Sequence, residues 1–198
     1  MKKILIVLGI IAVVLFGCYS CVAGKYNKMV ELNENVVSKW ADVEAQYQKR
    51  YDLVPNLVNT VKGYASHEES VYTQIAESRS KLGTTISLDS SQLDDEQAFE
   101  NYQQAQNNFG ATVSRLLSLT ENYPELKANQ NFLDLQSQLE GIENRISTER
   151  IRYNDAVKEY NTTISKFPAT LFAGMFGFKT KAYFKSAQEA ASAPQVEF

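Results

Sequence analysis

Residues 130–167 read QNFLDLQSQLEGIENRISTERIRYNDAVKEYNTTISKF, and their apolar positions decide the fold. Phe132, Leu135, Leu139, Ile142, Ile146, Tyr153, Ala156, Tyr160 and Phe167 recur in steps of three and four, with Glu149 as the polar member of the series. That spacing puts one apolar stripe along a helix and is incompatible with the period of two that a half-buried strand needs. Pro124 suits the first position of such a helix, where the missing amide hydrogen costs nothing. No alternating run competes with this pattern elsewhere in the chain, so the fold class is all-α.

Working back from that helix, Phe99, Tyr102, Phe109, Val113, Leu116 and Tyr123 give a third helix with Asp94 or Asp95 as its cap. Before it, Gly83-Thr84-Thr85 and the polar run through Ser87, Asp89, Ser90 and Ser91 predict a loop. A first helix over about 25–50 carries the seam Tyr26, Val30, Asn33, Val37, Trp40, Glu44, Tyr47 and Tyr51, and the chain is expected to kink or turn near Asp52-Leu53-Val54-Pro55. A second helix then carries Leu57, Val61, Tyr64, Glu68, Val71, Ile75 and Leu82. The favoured arrangement is an up-and-down antiparallel bundle of four segments, with a three-stranded bundle, in which the first two helices form one rod, as the alternative. Lengths are strained: the fourth helix would run about 62 Å and the first about 38 Å, so the fourth must overhang or break.

Ahead of the bundle, Ile4 to Ala23 reads ILIVLGIIAVVLFGCYSCVA without a charge, about 30 Å of helix and enough to cross a bilayer. The expected partner of residues 4–23 is therefore membrane lipid, with 1–24 an uncleaved anchor, 25–185 the bundle and 186–198 a mobile tail. A lipoprotein signal ending at Cys18 is the alternative, although Phe16 is bulky two residues before a lipidated cysteine. The basic tail of Lys2 and Lys3 favours an N-terminus inside and a body outside the cytoplasm, against Lys25 and Lys28 on the other flank; the bacterial cell membrane is what the family resemblance given below implies. Gly9 and Gly17 are too far apart for the small-residue dimer spacing, so the span assigns no oligomeric state.

Composition narrows function by exclusion. The 198 residues carry one His and two Cys, which removes most zinc sites, His-containing triads and disulfide scaffolds. Formal net charge is -3, and without Lys2 and Lys3 the remaining 18 basic and 23 acidic residues leave the body at -5. An acidic body gives no reason to expect nucleic acid and does not adhere to anionic lipid unaided. No cofactor motif is present, and Cys18-x-x-Cys21 lies inside the span without a βαβ pattern after it.

Several blocks in order then carry a family resemblance. Tyr26-Asn27, Trp40, KRYDLVPNLVNTVKGYASHE from Lys49, Ser78-Arg79, YPELKANQNFLDLQSQLEGIENRI from Tyr123, RYNDAVKEYN from Arg152, FP at Phe167 and FGF near Phe178 resemble the LemA family. The match covers nearly all of the body except about 83–120. Asn59, Tyr47 and Ser78 depart from it, standing where an acidic residue, an aliphatic residue and Ala are common. The resemblance implies a bacterial protein with one N-terminal anchor and a helical bundle, in a family of unestablished activity, and supplies no functional residue to carry over.

Two constellations remain. Counting heights along the helices, Glu44, Glu68 and Glu149 are expected to share a polar core layer with His67 and Arg150 beside it. Such a layer could bind a cation, but a Glu–Arg network fixing helix register is the favoured reading, since di-iron bundles require paired Glu-x-x-His motifs. The block FPATLFAGMFGFKTKAYFK returns to the level of the bilayer: Leu171, Phe172, Met175, Phe176 and Phe178 would dip into the interface while Lys179, Lys181 and Lys185 meet headgroups. The competing expectation is that this block caps the bundle core. The function expected from the whole is a membrane-anchored interaction or scaffold module without catalytic activity, engaging an unidentified envelope protein; a membrane-surface role through 167–185 and an enzyme or cation-binding bundle are the alternatives.

Overall fold

The structure, a computed structural model, describes residues 2–84 and 88–185. Its first helix, α1, runs unbroken over Lys2–Lys62 and so joins the apolar span to the bundle without a linker. Pro55 lies inside α1 and does not end it, so of the kink or turn expected near 52–55 the turn is not made there, and the helices read as first and second share one element up to Lys62. The missing amide is tolerated because Val54, Leu57 and Val61 around it are fully buried and clamp this turn against its neighbours. The break comes instead after Lys62, where Tyr64 and Ala65 amides both return to the Val61 carbonyl and Tyr72 Oη donates to the Ala65 carbonyl at 2.7 Å.

From that turn α2 (Glu69–Thr84) runs back beside α1, and Arg79 stacks on the Tyr51 ring at 4.2 Å. Leu88 and Leu93 of the following segment are buried, and Asp95 caps α3 (Glu96–Leu119) through the Ala98 amide. The polar loop predicted through Ser87 falls partly outside the described residues, as does the tail assigned to 186–198. Pro124 opens only a four-residue helix, α4 (Pro124–Lys127), and Asn129 recaps the chain into α5 (Gln130–Ser165), about 54 Å long. The long fourth segment therefore breaks at its start, and because α1 continues to Lys62 its part from residue 25 is about 57 Å long, so the expected mismatch in length disappears. A short α6 (Thr170–Ala173) and an extended strap over 178–185 complete the order.

The fold is all-α, an up-and-down bundle in which α1 and α3 rise from the end that carries the apolar N-terminal turns and α2 and α5 descend, with no strand among the described residues. Trp40 meets Tyr153, and Arg50 meets Glu143, which sets α1 and α5 antiparallel along their length. The buried seam of α1 is Met29, Leu32, Val36, Trp40, Val43, Tyr47, Arg50, Val54, Leu57 and Val61. It is rotated by one residue from the predicted seam at 33, 37, 44 and 51, so Glu44 is exposed and Asn33 and Tyr51 sit at the edge. Of the seams read for α3 and α5, most members are buried, Tyr123, Leu135, Ile142 and Glu149 are half-buried, and Phe167 is 80% exposed.

Candidate functional site

The expected carboxylate layer is not assembled. Glu68 lies in the turn between α1 and α2 and accepts from Tyr123 Oη at 3.1 Å, while exposed Glu44 is some 20 residues and about 30 Å lower on α1. Partial burial holds the Glu44 carboxyl above its usual range. Glu149 faces the bundle near the height of Glu44 on another helix; one oxygen accepts from Arg152 at 2.7 Å and Oε2 is buried without a hydrogen-bond partner. His67 is exposed in the same turn as Glu68, and Arg150 stacks over the Phe184 ring at 4.5 Å.

The polar layer the bundle does contain is built on Arg50, which is 3% exposed. Its Nη1 donates to Glu143 Oε1 at 2.9 Å, and Nη2 donates to the Gln106 carbonyl at 3.0 Å and to Gln106 Oε1 at 2.7 Å. The guanidinium also lies 5.2 Å from the Tyr47 ring centroid and 5.4 Å from that of Phe109. Gly110 makes room: a Cβ there would stand 3.1 Å from Arg50 Nη1. In the sequence Arg50, inside KRYD, reads as an exposed basic residue.

A second construction ties the strap to the bundle. Asn161 donates to the Lys181 carbonyl and accepts from its amide, Asn154 does the same for Phe184, and Gln103 for Lys185. Three side-chain amides thus hold an extended backbone where no strand is available to pair with it. Phe184, 6% exposed, enters a box of Trp40, Phe99 and Tyr153, with ring centroids 4.9 to 6.0 Å away. Burial pushes the Tyr153 and Tyr102 hydroxyls well up, and that of Tyr160 to about 12. Lys179 pairs with Asp94, and Lys185 with Glu96 and Glu100. The Asn154 and Asn161 spacing of two helical turns was the available signal for this groove.

The strap divides the predicted docking residues. Lys185 sits at the level of Trp40, about 25 Å along α1 from Ala23 and paired with Glu96, and Phe178 packs against the core. Lys181 is held on the strap by Asn161, Lys179 answers Asp94, and Phe172 is half-buried. Leu171, Met175 and Phe176 remain outward at 58%, 80% and 45% exposure, joined by Phe167. These four make an apolar foot within one short segment, and Phe176 fixes its height at Tyr26, whose ring meets Phe176 edge-on at 5.0 Å and Phe178 at 5.7 Å. Gly177, at φ 78°, makes the left-handed turn from foot to strap that a side chain would strain.

Below the foot, α1 is the one helix among the described residues long and apolar enough to cross a membrane, and its apolar window is not covered by the rest of the protein. The chain is 27% identical over 196 residues to Magnetosome protein MamQ 1 and to Magnetosome protein MamQ 2 of Paramagnetospirillum magneticum, covering 91% of this chain and 71% of each relative. It is also 27% identical over 175 residues to Magnetosome protein MamQ of Magnetospirillum gryphiswaldense, covering 81% of this chain and 64% of that protein. The family model described as the LemA family matches residues 39–198, the whole bundle above the lowest turns of α1 together with the strap, and the chain belongs to the LemA family.

Proposed function

We propose that this LemA-family protein is a single-pass, membrane-anchored interaction module that holds an elongated bundle upright over the bilayer for an envelope protein partner. The observation that carries this reading is the continuity of α1: Leu15, 63% exposed in the span, and Met29, fully buried in the bundle, belong to one helix with no hinge between them. A helix in that role transmits orientation, placing the turn at 63–68 about 60 Å from Ala23. The anchor is read as uncleaved with its N-terminus in the cytoplasm, following Lys2 and Lys3.

A non-catalytic role fits the distribution of titratable groups. The single histidine stands exposed in a turn, far from Glu44 and Glu149, and the most buried cation, Arg50, is committed to Glu143 and Gln106. Cross-linking in intact cells, followed by affinity isolation and mass spectrometry, tests the proposal against a control in which residues 1–24 carry an unrelated domain. One or two proteins captured only by the full chain are expected; identical captures by both would end the module reading. The exposed foot favours a second reading, action at the membrane surface, and has its own consequence.

A further inference from the structure

We infer that the foot of Phe167, Leu171, Met175 and Phe176 is a lipid-binding surface, inserted into the interfacial layer of the same bilayer that α1 crosses. The inference rests on the anchored reading above and adds a second point of attachment to it. Four large apolar side chains stand outward within one ten-residue stretch, at 80%, 58%, 80% and 45% exposure, whereas the exposed large apolar residues of α5, Leu133 and Ile151, stand singly. Ala169 and Ala173 on the other side of the same stretch are buried with Met29 and Leu32 in the core, so the segment is fixed and its outward face is not a frayed end.

Height selects lipid as the occupant. Tyr26 is three residues past Ala23, about 4.5 Å along α1, and it touches Phe176 directly. The foot therefore lies in the headgroup and upper acyl zone, where aromatic rings and Met or Leu side chains are stabilised. Rings reaching that zone gain from burial of apolar area, which requires no charge on the lipid. Insertion is consequently independent of the anionic lipid fraction. With α1 crossing the bilayer and the foot seated beside it, the bundle loses rotation about a tilted span and keeps one face toward the membrane.

The test uses the full chain in vesicles containing brominated phosphatidylcholine, with and without phosphatidylglycerol. Trp40 is the only native tryptophan, buried about 25 Å above the bilayer, and serves as an unquenched internal reference for a folded bundle. The Met175→Trp variant is expected to lose most of its added emission, more to lipids brominated near the headgroup than to those brominated deep, and equally in both lipid mixtures. The Leu133→Trp variant, at the distal end of α5, keeps its emission. The Leu15→Trp variant reports the span separately. Quenching at 15 with none at 175 overturns the foot while leaving the anchor intact, and a blue-shifted but unquenched signal at 175 shows protein covering it instead, which overturns the inference equally. No quenching at 15 removes the anchored reading and the foot with it.

Discussion

Above Arg50 the bundle is regular, and below it the bundle is improvised. The upper half packs four helices around Val54, Leu57, Val61, Val71, Ile75, Val113, Leu116, Leu126 and Leu139, with Phe109 and Phe132 among them. In the lower half α2 has ended, and α1, α3 and α5 are closed by two irregular segments carrying Leu88, Leu93 and Phe184. The filling is correspondingly aromatic: Trp40, Tyr47, Phe99, Tyr102, Tyr153 and Tyr160 join Phe184. Aliphatic layers suffice where helices interlock. Where one helix is missing, large rings span the wider gap, and side-chain amides replace the backbone bonds that a helix would have supplied to itself.

That contrast is broken most severely at Phe184. Phe184→Ala should cost about 3–5 kcal/mol, since it empties the box and loosens the strap; amide exchange should then rise in the lower half of α3 and remain slow around Val113 and Leu116. Equal acceleration in both halves would mean that they are not separable.

The boundary itself comes next. Arg50→Met should destabilise by about 1–3 kcal/mol because Gln106 Oε1 and the Glu143 carboxylate lose their donor, and the further change Gln106→Leu should recover only part of that, since it removes the orphaned Oε1 together with the Nε2 donor to Tyr102 Oη, read from denaturant midpoints. Pro55→Ala should stabilise the upper half by about 1–2 kcal/mol, the roughly 3 kcal/mol penalty of an internal proline less the packing of a half-buried ring. A loss of stability there would show that the bundle uses a bend at 55. Gly110→Ala should gain about 1 kcal/mol of helix propensity in the Arg50→Met background but not in the native chain, where the new methyl crowds the guanidinium.

The effect of pH is the smallest over the working range. Burial raises the folded-state pKa of Tyr160 to about 12 from 10.0, so its contribution is complete below pH 10 and is lost as pH rises toward 12. Tyr102 and Tyr153 shift in the same direction, for the same reason. Absorbance of ionised tyrosine should therefore rise in two stages, exposed rings first and these three only as the lower half opens.

Much of this architecture was readable from spacing alone, and the failures have physical causes. The seams of α3 and α5 are long and dominated by Phe, Leu and Ile, so their phase is unambiguous. On α1 the same spacing fits two stripes one residue apart, because Tyr26, Tyr47 and Tyr51 are comfortable at either a core or an edge, and Arg50 at a core position looks like an error of phase. Pro55 overstated its local effect because tertiary packing of Val54 and Leu57 outweighs one missing hydrogen bond. The polar layer was misplaced because heights were counted from a break at 55 when the chain turns at 63, which carried Glu68 to the far end. The strap left no periodic trace, since its order comes from Asn154, Asn161 and Gln103 on other elements. The foot was legible as composition, but only the course of the strap separates Leu171, Met175 and Phe176 from Lys181 and Lys185.

The central claim is that one rigid helix carries the body on the membrane. Paired spin labels at Leu15 and Ala45, with Cys18 and Cys21 replaced by Ser and the full chain in lipid nanodiscs, measure it directly by dipolar spectroscopy. Thirty residues of unbroken helix separate the two sites, so a single narrow distance distribution centred near 45 Å is expected. A broad distribution, or one centred well below that distance, would place a hinge between span and bundle and contradict the account.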